Sequence, residues 1–259
     1  MDRPETNIGL ALSGGGFRAT LFHLGVIRFL AEIESLKSIK LVSAVSGGSI
    51  LAAHLVLNWE KYNDLRTFDD VAREVIGFVQ QDVRGRILRK WVLGCLTIFP
   101  RFLLPKRSRW SLGNLLQRAY SRLFREATIK KLRGPNRPGV RFNCTSLTSG
   151  SPCFFDQSGF AWYKDSGITL ISALDLPVAY AVAASSAFPP LFPPVEISNQ
   201  TLSCDKDDFE NTHRLTDGGV YDNLGIETLS LAKKAGIETI FISDAEGNFD
   251  SDFDNRYSL

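Results

Sequence analysis

One serine stands where the chain could form a nucleophile. Ser46 is followed by Gly47 and Gly48, and it lies between a short apolar run and a stretch whose apolar residues recur at helical spacing. A serine hydroxyl is a poor nucleophile at neutral pH, so it needs a tight turn, a base within hydrogen-bond reach and N–H donors for the developing negative charge. The strand-to-helix turn G-x-S-x-G supplies such a position, and here Ala44 takes the place of the first glycine. The pattern predicts Ser46 as the nucleophile and these three neighbours as its turn. Turns of small residues are also common in α/β proteins without any catalytic role.

Three glycines earlier in the chain could supply the N–H donors. Gly14, Gly15 and Gly16 end an apolar run and precede a helical pattern, so several backbone N–H groups can point at one anion. The spacing fits neither G-x-G-x-x-G nor a P-loop, which disfavours a nucleotide site. Arg18 follows, where it either adds positive charge beside the anion or pairs with a nearby acid. We expect the three glycines and Arg18 to bind an oxyanion.

A carboxylate that could act as the base comes late in the chain. Asp217 precedes Gly218 and Gly219 and follows a short apolar approach, which predicts the end of a strand and a close turn after it. Without a histidine, this carboxylate must deprotonate the serine directly, in a site shielded from bulk water. The alternative is an aspartate that only caps the turn.

The three histidines decide whether a Ser-His-Asp triad is available. His23 and His54 fall in predicted helices among apolar neighbours, a setting typical of buried structural histidines. His213 lies four residues before Asp217, so a shared strand would make the geometry of a triad awkward. A dyad is preferred, and an esterase that uses His213 is the alternative.

The elements that must position these residues alternate between strand and helix. Apolar runs at 8–13 and 39–45 predict two strands, each followed by a glycine turn and then by a helix, at 17–33 and 50–59. Two successive βα units predict a parallel sheet covered by helices. The Ala-rich stretch 175–187 predicts a further helix that ends at a cluster of prolines.

The last part of the chain returns to the same pattern. Residues 227–235 predict a helix, Gly236 its cap and 239–243 another buried strand. The fold class predicted from the whole pattern is α/β.

Residues 84–141 interrupt this order with an excess of positive charge. They hold 16 of the 30 Lys and Arg but only one of the 28 acidic residues, although the net charge of the chain is +2. The apolar run 91–99 is too short to span a bilayer, and 112–132 is typical of a basic amphipathic helix.

Such a stretch suits contact with an anionic surface. We expect the region 91–132 to touch an anionic membrane peripherally, and the alternative is a buried helical cap with a solvated basic rim. Nucleic acid is not expected, because no nucleic-acid-binding motif accompanies the charge.

Composition sets the remaining bounds. With 259 residues and 44% hydrophobic content, the chain can bury a substantial core. The cysteines are few and show no paired spacing, so they indicate neither a disulfide framework nor a zinc site; they are Cys95, Cys144, Cys153 and Cys204. No apolar run follows basic residues at the start, which argues against a secretory signal. We expect a cytoplasmic protein, peripheral at the membrane, that holds no metal.

The three motifs, in this order, resemble those of the patatin-like phospholipase family. Residues 184–193, Ala-Ser-Ser-Ala-Phe-Pro-Pro-Leu-Phe-Pro, resemble the Ala-Ser-x-Ala-x-Pro-x-x-Phe-Pro segment of that family. Residues 221–225, Tyr-Asp-Asn-Leu-Gly, resemble the sequence that follows its Asp-Gly-Gly. The chain departs from the family at Ala44 and at Ala19, where many members have glycine.

The resemblance implies both a fold and an activity. The fold would be one three-layer α/β/α domain over 1–259 with a mainly parallel central sheet and a helical basic insertion at about 84–141. The activity would be that of a phospholipase A or lysophospholipase, in which Ser46 attacks a fatty acyl ester, Asp217 takes its proton and water hydrolyses the acyl-enzyme. No metal or organic cofactor would be required. The alternative from another class is a lipid-binding or regulatory module that keeps the fold without turnover.

Overall fold

The computed structural model describes residues 7–81, 112–164, 167–205, 209, 212–231 and 236–246. Within these residues, one sheet of nine strands is covered by helices. The strands are β1 (Ile8–Leu12), β2 (Ile39–Val45), β3 (Gly139–Ser146), β4 (Ser151–Phe155), β5 (Gly159–Lys164), β6 (Gly167–Ser172), β7 (Val195–Ile197), β8 (His213–Asp217) and β9 (Thr239–Ser243). The helices are α1 (Gly16–Glu32), α2 (Gly47–Leu57), α3 (Trp59–Tyr62), α4 (Leu65–Gln80), α5 (Leu112–Leu123), α6 (Val178–Ser185), α7 (Asn199–Leu202) and α8 (Ile226–Leu231).

The centre of the sheet is parallel, as the sequence predicts. The strand order is β6-β5-β4-β3-β2-β1-β9. The pairs β3/β2, β2/β1 and β1/β9 are parallel, because each of these strands returns to the sheet through a helix or a longer connection. The half formed by β4, β5 and β6 is antiparallel, and this part of the sheet was not predicted from the sequence.

Helices lie on both faces of the sheet, which gives three layers and confirms the predicted α/β/α fold. A Cβ added to Gly9 of β1 would lie 3.2 Å from Leu229 of α8. The next residue, Leu10, points to the opposite face, where it joins the apolar core that includes α2. That helix is buried on every side, as expected for a helix that is apolar all round.

The strands β2 and β8 meet end to end along β3. One edge of β3 is paired with β4 at both Asn143 and Cys144. On its other edge, Asn143 pairs with Val45, the last residue of β2, and Cys144 pairs with Asp217, the last residue of β8. Because β8 runs antiparallel to β3 and β2 runs parallel to it, the carboxyl ends of both strands face each other there. Successive residues of a strand are about 3.3 Å apart, so Ser46 and Asp217 are brought close together by the register alone.

The described part of the basic stretch differs from its prediction. The helix predicted at 112–132 ends at Leu123, and a short 3-10 helix follows at Ile129–Leu132. Arg125 and Glu126 have positive φ, 51° and 56°, so the chain leaves the helical conformation between α5 and this 3-10 helix. The strand β3 begins at Gly139, so the last residues of the stretch already belong to the sheet. Its residues 84–111 lie outside the described part of the chain.

None of the helices in the described ranges is long and apolar enough to span a bilayer.

Candidate active site

The turn that carries Ser46 joins β2 directly to α2. Ser46 has φ 50° and ψ −114°. A positive φ costs a residue other than glycine about 1–3 kcal/mol and persists only where the surroundings enforce it. The residue is 6% exposed and stands at the N-terminal end of α2.

Gly47 and Gly48 allow the first turn of α2 to pack closely against the backbone of residues 12–16. A Cβ added to Gly48 would lie 2.5 Å from the carbonyl oxygen of Leu12. A Cβ added to Gly47 would collide with the carbonyl oxygen of Gly16. Ala44, at the first glycine of the motif, is fully buried in the core, and its methyl group contributes to the packing there. The structure thus requires glycine after Ser46 but accommodates alanine before it.

The glycine loop places the start of α1 beside the start of α2. Gly15 and Gly16 have φ of 130° and 67°, which favour glycine. The amide nitrogen of Gly16, the first residue of α1, lies 3.0 Å from the position of an added Gly47 Cβ. The first amides of a helix have no acceptor within it, so two converging helix N-termini suit an anion. The N–H of Gly14 donates to the carbonyl oxygen of Asn223 at 3.0 Å and is therefore already engaged.

Side chains of α1 hold this loop in place. The Thr20 hydroxyl donates to the carbonyl oxygen of Gly47 at 2.8 Å. The ring of His23 bonds to the Ser243 hydroxyl at 2.7 Å and to the carbonyl oxygen of Ser13 at 3.0 Å. Burial lowers the pKa of His23, so the ring is neutral at pH 7 and acts as a structural link between β1 and β9.

Arg18 lies at the border of the site. Its side chain is exposed in the first turn of α1, and no ion pair joins it to a carboxylate in the part of the chain that the structure describes. The described residues therefore give no support to an ion pair of Arg18 with an acid, which was one of the two roles expected for it.

Asp217 is held at the end of β8 by its own turn. The residue is 1% exposed, and its Oδ1 accepts the N–H of Gly219 at 2.8 Å. Its own N–H donates to the carbonyl oxygen of Ala187 at 3.2 Å. A Cβ added to Gly218 would lie 2.5 Å from the carbonyl oxygen of Asn143, so the turn can pack against β3 only with glycine at this position.

The residue of β3 that pairs with Asp217 is a buried cysteine, Cys144. Burial raises the pKa of the Cys144 thiol well above its usual value. Cys144 is therefore neutral, and it adds no second negative charge beside the carboxylate with which it pairs.

The last residue of α6 and the two residues after it bond to the backbone of both candidate residues. The Ser185 hydroxyl accepts the N–H of Ser46 at 3.2 Å, and the Ser186 hydroxyl donates to the carbonyl oxygen of Ser46 at 3.3 Å. The carbonyl oxygen of Ala187 accepts the N–H of Asp217. The segment thus fixes the two strand ends relative to each other. Sequence analysis quoted these residues only as part of a motif and did not predict this contact.

A buried polar network behind the two strand ends was also missed. The Asn143 side chain donates to the Ser43 hydroxyl at 2.8 Å and accepts from the Thr228 hydroxyl at 3.0 Å. Ser43 in turn donates to the carbonyl oxygen of Gly225 at 2.7 Å. Asp222 accepts three backbone N–H groups at the start of α8, which makes it a cap of that helix. The sequence signal for Asp222 was its position just before a helical pattern.

The histidine alternative is not supported by the geometry. His213 begins β8, four residue steps from Asp217, or about 13 Å at the rise of a strand. Its Nδ1 bonds to the Ser146 hydroxyl at 2.9 Å, and its ring stacks on Phe209. His54 bonds to the Tyr62 hydroxyl at 2.9 Å inside the core.

The structure therefore brings Ser46, Asp217, Gly15 and Gly16 to one place, at the carboxyl ends of the central strands, and leaves Arg18 exposed at its border. Among the described residues, no group of three or more His, Cys, Asp or Glu side chains is arranged to hold a metal ion.

The chain matches one protein family and resembles several solved structures. A family model described as patatin-like phospholipase matches residues 10–230. Human GIVD cytosolic phospholipase A2 has a similar structure, with a TM-score of 0.49 and 14% sequence identity, over 72% of this chain and 29% of that chain. VipD from Legionella pneumophila has a TM-score of 0.43 and 15% identity, over 85% of this chain and 47% of that one. The chain thus spans less than half the length of these solved proteins. No curated protein sequence matches it.

Proposed function

The chain belongs to the patatin-like phospholipase family, and from this membership and the geometry of the site we propose that it hydrolyses fatty acyl esters of lipids. The substrates would be phospholipids, lysophospholipids or related acyl esters. The catalytic groups would be Ser46 and Asp217, without a metal or an organic cofactor.

In the first half of the reaction, the Ser46 hydroxyl oxygen attacks the ester carbonyl carbon while the Asp217 carboxylate takes its proton. The carbonyl oxygen becomes an oxyanion, which the N–H groups of Gly15 and Gly16 stabilise, with Arg18 adding positive charge at the border. The intermediate then collapses, the bond to the leaving alcohol breaks, and Asp217 returns the proton to the alcohol oxygen. The acyl group is left on Ser46.

In the second half, water replaces the alcohol. Asp217, again a carboxylate, takes a proton from the water as its oxygen attacks the acyl carbon. The second tetrahedral intermediate breaks at the bond to Ser46, and the Asp217 proton returns to the serine oxygen. The fatty acid leaves and the starting state of both residues is restored.

The observation that carries this proposal is the meeting of β2 and β8 along β3. Val45 and Asp217 pair with adjacent residues of β3, so the serine that follows Val45, with its positive φ and 6% exposure, lies close to a carboxylate that is 1% exposed. A dyad without histidine needs its two groups close together and shielded from water. The two helix N-termini next to Ser46 meet the further need for oxyanion donors.

The test is hydrolysis of a soluble short-chain ester by the purified full chain. We expect Ser46→Ala and Asp217→Asn each to reduce kcat by about 10³-fold or more, and a fluorophosphonate to label Ser46 in the wild type. His213→Ala should keep its activity, and its loss would favour the triad. A wild type that neither turns over the ester nor reacts with the fluorophosphonate would refute the enzyme proposal and favour a lipid-binding module.

We propose further that the region 91–132 attracts the protein to anionic membranes from a peripheral position. Exposed bases in its described part support this, and they are Arg118, Arg122, Arg125, Lys130 and Lys131. Residues 91–111 lie outside the described ranges. Binding to anionic vesicles should therefore fall with added salt and with the triple change Arg101→Glu, Lys106→Glu and Arg107→Glu. Unchanged binding would exclude this contact.

A further inference from the structure

Two segments beside the candidate active site expose large apolar side chains. In the first, Phe188 and Leu191 are 50% and 52% exposed. In the second, Val220 and Tyr221 are 48% and 49% exposed. Residues 188–194 and 218–221 contain no charged side chain. We call these four side chains the apolar rim. Several exposed apolar groups close together mark an interaction surface more often than scattered ones do.

The apolar rim adjoins the site because both of its segments start next to one hydrogen bond, which joins the Asp217 N–H to the carbonyl oxygen of Ala187. Ala187, whose carbonyl oxygen accepts the Asp217 N–H, directly precedes the first segment. Asp217 itself precedes the second segment, whose short 3-10 helix spans Gly218–Val220. A chain of four residues reaches at most about 14 Å, so every residue of the rim lies near the buried carboxylate.

Phe192 anchors the first segment to the core. Phe192 is buried at 5% exposure, and its N–H bonds to the carbonyl oxygen of Phe188 at 3.1 Å. The backbone therefore closes a turn that begins at Phe188 and includes Leu191. Folding of this part of the chain fixes the turn without covering these two side chains.

Three basic residues lie at the far end of α2 from Ser46. Arg125, Lys131 and Arg137 line a groove of about 390 Å³ together with Leu57, the last residue of α2. The 11 residues of α2 separate this groove from Ser46 by about 16 Å at the rise of a helix. That distance exceeds the screening length in physiological salt. Attraction by these three bases is therefore largely screened at Ser46.

We propose that the apolar rim is the surface through which the protein inserts into a lipid bilayer, with Phe188, Leu191, Val220 and Tyr221 entering the boundary between headgroups and acyl chains. The proposal rests on the proposed lipid ester substrate, since such an ester must leave the bilayer at the mouth of the site. Binding of this kind scales with the apolar area that enters the lipid and needs no lipid charge. Tyrosine suits this boundary, because its ring is apolar and its hydroxyl is polar.

The experiment compares two double variants of the full chain on vesicles of zwitterionic phosphatidylcholine. Phe188→Asp/Leu191→Asp removes half of the rim. The control Phe29→Asp/Leu65→Asp changes one Phe and one Leu of similar exposure, 52% and 46%, outside the rim. We expect the rim variant to bind vesicles about tenfold more weakly or worse, at low and high salt alike. The control should bind as the wild type does, and so should Lys131→Glu/Arg137→Glu.

Turnover of a soluble short-chain ester separates this proposal from the proposed function. If the rim variant cleaves that ester normally but loses phosphatidylcholine binding and hydrolysis, the inference stands. Equal vesicle binding by the rim variant and the wild type would overturn it, and so would an equal loss in the control. A wild type that binds vesicles but cleaves no ester would contradict the proposed function alone. Should the first rim variant fail to fold, Val220→Ser/Tyr221→Ser carries the same comparison.

Discussion

Removing the Ser185 hydroxyl should damage catalysis more than folding. This hydroxyl is fully buried, and it accepts the N–H of Ser46 at 3.2 Å, bonds to the Ser49 hydroxyl at 2.8 Å and donates to the carbonyl oxygen of Asn143 at 2.7 Å. Ser185→Ala removes all three bonds at once. The backbone of Ser46, held at a φ of 50°, then loses its side-chain acceptor.

The magnitude follows from the groups that are left behind. A buried donor or acceptor that loses its partner costs about 1–3 kcal/mol. The Ser46 N–H and the fully buried Ser49 hydroxyl both lose Ser185, so the free energy of unfolding should fall by about 3 kcal/mol. A nucleophile displaced by about 1 Å loses on the order of 10²-fold in rate. We therefore expect kcat on a soluble ester to fall by about that factor, with a smaller change in KM.

Ser43→Ala is the matched control. Ser43 is also fully buried and has three side-chain bonding partners, the Gly225 carbonyl oxygen, the Thr228 hydroxyl and the Asn143 amide. None of these three bonds involves Ser46, Gly47 or Gly48. Its loss should lower the free energy of unfolding, measured by urea titration, by a similar amount while the folded enzyme keeps its kcat. A normal kcat in Ser185→Ala would refute the positioning role of Ser185. An equal loss of kcat in both variants would also refute it, because the loss would then come from a general effect on the fold.

Two further outcomes follow from the described contacts. Gly48→Ala should lower both stability and activity, because the added Cβ would lie 2.5 Å and 2.8 Å from two backbone carbonyl oxygens. The control Gly25→Ala has nothing within 4 Å of its added Cβ and should stabilise α1 by about 0.5–1 kcal/mol. Normal activity in Gly48→Ala would contradict the close packing at the turn. Burial lowers the pKa of His23 and His54 below the unfolded value of 6.5, so the unfolded chain binds more protons than the folded one. The free energy of unfolding should therefore fall as the pH drops below about 6.5, by at most about 1.4 kcal/mol per pH unit for each histidine. In urea titrations at several pH values, His54→Gln should show a weaker pH dependence, and an unchanged slope would contradict this prediction.

The first part of the fold could be predicted because its signals are local. The strands β1 and β2 are continuous apolar runs, and each glycine turn is followed by helical spacing. The helix α4 had similar signals, with Asp64 as its cap and buried residues at Phe68, Val71, Val75 and Phe78, but the sequence analysis did not use them. By contrast, the antiparallel strands are short and turn back on one another, and their pairing is decided by contacts that periodicity does not show.

The candidate site could be predicted as a set of residues but not as a geometry. The sequence indicates that Ser46 and Asp217 end strands, because glycines follow each of them. Their approach depends on β8 replacing β2 along the edge of β3, which is a pairing between distant segments. The hydrogen bond from the Gly14 N–H to Asn223 also joins distant segments, and it leaves Gly15 and Gly16 as the proposed oxyanion donors of the loop.

A dyad places a stricter demand on the fold than a triad does. In a triad, the imidazole ring bridges the serine and the acid and can adjust by rotation, whereas a carboxylate that acts directly must be held by the backbone that carries it. Here, three bonds tie residues 185–187 to Ser46 and Asp217. The Thr216 hydroxyl adds a fourth, to the carbonyl oxygen of Ala187 at 2.8 Å. The apolar rim begins at the very next residue, Phe188. If the proposed insertion into lipid displaces that turn, the same bonds, which hold Ser46 and Asp217, would be the first to be strained.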